Sequence, residues 1–148
     1  MLSEALFAVA IVSLCLLLHV FGILVIGYWI SSRREFFERR GNFAQYLVGL
    51  VIPSTVIMLL HLVETAVWAV FYYSRHLLPD FETSLYFSLI TYATIGYGDV
   101  VLPLKWRVLG GIEGISGVLL CGLSAAFIFA IVNAMFQMRL QRASSSSS

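Results

Sequence analysis

Apolar positions fall into three long runs and one short one, separated by brief polar stretches. Residues 5–30 are apolar except for Ser13, His19 and the glycines. Residues 43–73 form a second run and residues 107–140 a third. A helix needs about 20 apolar residues to cross a bilayer, so each run predicts a membrane span. The first lacks the basic start of a cleaved signal peptide and is too long for one. The short run, residues 83–92, cannot cross a bilayer alone. Followed by a glycine-rich stretch, it predicts a re-entrant loop: a half-length helix that enters the membrane and returns as extended chain.

The polar positions refine this layout. Pro53 lies inside the second run and predicts a kink there. His61, Glu64 and Trp68 follow at spacings of three and four and share one helical face. Ionisable groups at this depth are costly and should face protein or water. Glu113 stands about two turns into the third run, so His61, Glu64 and Glu113 are candidates for a buried polar network behind the short helix. A neutral packing pair accounts for His61 and Glu64 equally simply. A metal site there needs more ligands than these two side chains supply. His19 has no partner evident from sequence. Asp80 is placed to cap the short helix, with Glu82 in its first turn. Gly110, Gly111, Gly114, Gly117 and Gly122 crowd the first half of the last span, at spacings that permit close helix contact or bending.

Composition fits an integral membrane protein. Of 148 residues, 60% are hydrophobic and 11% charged, and the mean hydropathy is +0.93. Arg33, Arg34, Arg39, Arg40, Arg139 and Arg142 are six of the nine Lys and Arg residues. They flank one end of the spans, which predicts an outer N-terminus, a cytoplasmic loop at 31–42 and a cytoplasmic C-terminus, with the cell membrane as the setting. No basic patch suggests nucleic acid. Cys15 and Cys121 both lie within apolar runs, which argues against a disulfide framework. Residues 143–148 read as a low-complexity, disordered serine tail. No nucleotide loop or catalytic constellation appears, so the chain is not read as an enzyme, and no organic cofactor or soluble partner is inferred.

The sharpest motif is Thr94-Ile95-Gly96-Tyr97-Gly98-Asp99, between the short helix and the last span. Alternating glycines let the backbone alternate between ordinary and left-handed conformations, which aligns successive carbonyl oxygens. This stretch resembles the selectivity filter of the tetrameric potassium channels, with Ile95 in place of the usual valine. The resemblance covers roughly the last two-thirds of the chain, a span–pore helix–filter–span module, and leaves the first span outside it. It implies K+ sites at Thr94, Ile95, Gly96 and Tyr97, with Gly98 and Asp99 supporting the outer mouth and Tyr97 braced against the pore helix. Two departures stand out. Tyr86 and Phe87 occupy positions where related channels often carry a tryptophan pair, leaving Thr91 as a candidate hydrogen-bond donor to Tyr97. Ile90 stands where some members place an acidic partner for the filter aspartate.

The resulting expectation is an all-α integral membrane protein: an N-terminal transmembrane helix (1–30), a loop (31–42) and a pore module (43–142). Within the module are an outer helix (43–73), a pore helix (83–92), a filter (94–99) and an inner helix (107–140). One chain carries one filter strand, so the resemblance implies a homotetramer in membrane lipid that conducts K+ passively. Gly117 is a candidate hinge, with helix packing as the competing role. Asn133 and Phe136 are candidates for an inner gate. A weakly selective monovalent cation channel is the alternative. A potassium transporter subunit and a non-conducting membrane scaffold are more distant ones.

Overall fold

The computed structural model describes residues 2–33 and 43–145, almost entirely helical. Helix α1 is Leu2–Ser32, α2 is Phe43–Ser74, α3 is Phe81–Tyr92 and α4 is Arg107–Ser145. One 3-10 turn, Leu104–Trp106, leads into α4. At about 1.5 Å per residue, the 31 residues of α1 extend roughly 46 Å, well beyond a hydrocarbon core of about 30 Å. Helices α1, α2 and α4 are each long and apolar enough to cross a membrane. The 12 residues of α3 reach only about 18 Å, so its carboxyl end stops within the depth of the longer helices.

The helices run past the sequence-based bounds. Asp80 takes the cap of α3, its carboxylate accepting from the Thr83 N–H at 2.7 Å. Helix α3 therefore starts at Phe81, immediately after the cap. That same bond holds the Asp80 carboxyl below its usual range. Helix α2 continues through Pro53 without a break in helical assignment. Helix α4 continues to Ser145, so the stretch read as a serine tail begins inside a helix, while 146–148 lie outside the described residues. The expected cytoplasmic loop, including Arg34, Arg39 and Arg40, also lies outside them except at its first residues.

Helices α1 and α4 begin at the same end of the bundle and α2 finishes there. Lys105 pairs with Glu4 at 3.3 Å across that end, and the Arg75 guanidinium lies 5.0 Å from the Phe7 ring and 5.9 Å from Trp106. Such amphipathic side chains suit the boundary between lipid and water. Helix α3 is held between α2 and α4. Its Phe87 packs edge-on against Tyr72 at 5.3 Å, and Tyr72 stacks on Trp68 at 5.9 Å. Trp68 and Tyr72 are fully buried and, with Leu109 and Leu120, make the core against which α3 is fixed. The long apolar side chains along the rest of α1 and α2 face outward, as a lipid-exposed surface requires.

Candidate ion pathway and its support

The carboxyl end of α3 controls the path of the loop that follows. The carbonyl of Ile90 accepts from both Ile95 N–H, at 2.8 Å, and Gly96 N–H, at 3.1 Å, and the Thr94 N–H donates to the Thr91 carbonyl at 2.9 Å. These bonds turn the chain back across the helix end. From there the backbone alternates. Thr94, Gly96 and Gly98 have φ of 59°, 53° and 80°, while Ile95 and Tyr97 between them do not enter the left-handed region. Glycine takes that conformation without cost, but Thr94 is β-branched and does not. A strained threonine at the head of an alternating loop is held there by the bonds around it. The sequence reading attributed the alternation to Gly96 and Gly98; the structure starts it one step earlier.

All of residues 93–99 are exposed on this chain. Tyr97 is 71% exposed, so the expected brace against Tyr86 and Phe87 is not made within the chain. The reason lies in the two faces of α3. Phe87 turns into the core against Tyr72, while the Tyr86 hydroxyl reaches forward and donates to the Asp99 carboxylate at 2.7 Å. Asp99 therefore has a partner despite the apolar residue at Ile90. The Tyr86 hydroxyl, the chief cause, holds the Asp99 carboxyl below its usual range. Sequence reasoning passed over Tyr86 in this role because it looked for an acid, and a tyrosine hydroxyl serves the same oxygen. Thr91 acts through its carbonyl and lines an open groove with Thr94, Gly96, Gly111, Gly114 and Ile115.

Gly117 packs against the end of α3. A Cβ built there would lie 2.2 Å from the Tyr92 carbonyl oxygen, backbone that cannot move aside cheaply. Only a residue without a side chain fits, so this glycine serves close packing whatever bending it also permits. Asn133 and Phe136 lie in the far half of α4 and are exposed.

Behind α3 are two buried carboxylates, each with its own set of partners. Glu64 is fully buried. Its Oε1 accepts from His19 Nδ1 at 2.8 Å, and its Oε2 lies 3.0 Å from His61 Nδ1 and accepts from the Tyr92 hydroxyl at 2.5 Å. Ser124 on α4 closes the cluster, with its Oγ 3.0 Å from His61 Nε2 and 3.1 Å from His19 Nε2. Glu113, also fully buried, accepts from the Tyr72 hydroxyl at 2.7 Å and bonds Ser88, whose hydroxyl also reaches the Thr65 carbonyl. The sequence placed His61, Glu64 and Glu113 in one network. The structure joins the first two and gives Glu113 to a separate one. It also supplies the partner that His19 lacked. No single-chain periodicity could reveal that pairing, because His19 and Glu64 lie on different helices.

The arrangement is a half-length helix supported from behind by two buried carboxylate clusters, ending in a loop whose backbone alternates between ordinary and left-handed conformations and whose outer side is uncovered. Oxygens presented this way suit a dehydrated cation, and the carboxyl end of α3 adds a partial negative charge behind them. Comparison with curated proteins and with solved structures gave no match. A family model described as an ion channel matches residues 46–134, which contain nearly all of α2, the whole of α3, the glycine loop and most of α4. With more than half of its length matched, and the loop and its support inside that half, the chain belongs to this ion-channel family.

Proposed function

We propose that four copies of this chain form a potassium-selective channel in which Thr94, Ile95, Gly96 and Tyr97 supply the oxygen column. The observation that carries this reading is the alternation of left-handed φ at Thr94, Gly96 and Gly98 within the string Thr-Ile-Gly-Tyr-Gly-Asp. A column of carbonyls is useful to a cation only when it is completed on all sides, and one chain contributes one strand. The exposure of residues 93–99 on the single chain fits a loop whose remaining cover comes from neighbouring copies. Conduction is passive, with the ions themselves pushing one another through the queue of sites.

The proposal is tested by potassium flux from liposomes holding the purified chain. The parent should discharge a potassium gradient, and Gly96→Ala should abolish the flux while still inserting into the membrane. Gly96 sits at a φ that an L side chain strains to adopt, at a cost of about 1–2 kcal/mol per residue. Equal flux from both proteins would remove the loop from the pathway. A weakly selective cation channel is the second reading, favoured by the exposed Tyr97, whose ring lacks the expected brace within its own chain.

A further inference from the structure

We infer that His19, His61 and Glu64 form a binding site for one divalent transition-metal ion of the Zn2+ class. The three side chains come from two helices, and their ligand atoms all lie within 4.8 Å of one another. Zinc holds imidazole nitrogen and carboxylate oxygen at about 2.0–2.2 Å, which places neighbouring ligand atoms roughly 3.3 Å apart in a tetrahedron. The observed separations are 2.8 Å from His19 Nδ1 to Glu64 Oε1 and 3.0 Å from His61 Nδ1 to Glu64 Oε2, with every pair of ligand atoms within 4.8 Å, so the side chains adjust to close around one ion. The Tyr92 oxygen, 2.5 Å from Glu64 Oε2 and 3.0 Å from His61 Nδ1, lies beside the same atoms.

The hydrogens that face Ser124 sit differently in the metal-bound and metal-free arrangements. As an ionised carboxylate Glu64 only accepts, so without metal both Nδ1 atoms must carry the hydrogens that face it. In neutral rings both Nε2 atoms are then acceptors. Both point at the one hydroxyl of Ser124, at 3.1 and 3.0 Å, and a hydroxyl has one proton for the two of them. With a metal on both Nδ1 atoms the hydrogens move to Nε2. Ser124 Oγ, with two lone pairs, then accepts both. Metal-ligating histidines ordinarily donate their other N–H to such a fixed acceptor. Without the ion the same network closes only when one imidazole carries a second proton against the Glu64 carboxylate, so a metal ion and that proton compete for the cluster.

The site is buried apart from His61, whose side chain is 15% exposed. Binding would tie α1 to α2 and, through Tyr92, to the last residue of α3, two positions before Thr94. The other groups of the cluster's surroundings are Cys15 on α1, whose Sγ approaches the Glu64 carbonyl at 4.0 Å, and Cys121 on α4. The inference does not rest on which cation the pathway selects.

The test is zinc uptake by the purified full-length protein, stripped with chelator, dialysed against ZnCl2 and assayed by atomic emission. The expected result is about one Zn2+ per chain, lost in His19→Asn and His61→Asn and weakened roughly 10–100-fold in Ser124→Ala. Co2+ bound to the parent alone gives a second readout independent of variant folding. Its visible spectrum should be that of nitrogen and oxygen ligands without thiolate charge transfer. Substoichiometric uptake by the parent overturns the proposal. So does uptake unchanged by both histidine variants, uptake abolished by His76→Asn, or a thiolate band that disappears with Cys15→Ser or Cys121→Ser.

Discussion

At Gly117 one hydrogen in place of a methyl decides whether two helices meet. The Tyr92 carbonyl occupies the space that a side chain would need. Gly117→Ala should therefore destabilise the protein by about 1–3 kcal/mol through overpacking. Gly27→Ala, where a Cβ meets nothing within 4 Å, should be neutral or stabilise by up to about 1 kcal/mol. Thermal unfolding in detergent checks the contrast, and a smaller loss at position 117 than at 27 would show that α4 does not press on α3 there. Asp99 gives a prediction of a different kind. Its carboxyl sits below the ordinary range because the Tyr86 hydroxyl favours the charged form. The charge is present above the ordinary carboxylate range and is lost only as pH falls through the depressed value. Tyr86→Phe removes the donor, so acidification on that side should reduce single-channel conductance at a higher pH than in the parent. Coincident curves would mean that the hydroxyl does not hold the carboxylate. The motif at 94–99 was legible in sequence because only glycine explains the alternation cheaply. The left-handed Thr94 was not, because nothing local in a threonine signals a conformation imposed by the returning chain.

Helices were legible where one rule governed them. Length and hydropathy predicted three spans, and Asp80 was legible as the cap of α3, although the helix starts at Phe81 and not at 83. Partnerships between helices were not, since His19–Glu64 and Tyr72–Glu113 depend on which faces meet. That distinction predicts separable effects. Tyr92→Phe removes the donor to Glu64 and loosens the end of α3 nearest the loop, at a cost of about 1–2 kcal/mol. Ser88→Ala removes a contact to Glu113 and the bond to the Thr65 carbonyl, in the middle of α3. The two clusters share no hydrogen bond among the described residues, so the double variant should lose stability equal to the sum within about 0.5 kcal/mol. A larger coupling in a double-mutant cycle would show one continuous network, as the sequence alone suggested.

At the scale of the molecule, the chain joins a span–half helix–loop–span module to an additional N-terminal helix that packs on α2 and α4. The first span lies wholly outside the matched family region, yet His19 makes it part of the support behind α3. Charge sets the expected sidedness: Arg75, Lys105 and Arg107 lie at the end where α4 begins, and Arg139 and Arg142 toward the other. Single cysteines at Lys105 and Ser144 should therefore react with impermeant thiol reagents from opposite faces of the membrane, Lys105→Cys from outside. Labelling from one face only would reject the topology. The loop at 94–99 is proposed as a filter for potassium. The most direct measurement is the reversal potential of the purified protein in a planar bilayer with potassium on one side and an equal concentration of sodium on the other. A selective oxygen column predicts a displacement beyond about 59 mV, the value for a tenfold permeability ratio of a monovalent ion, in the direction set by potassium. A reversal potential near zero would contradict it.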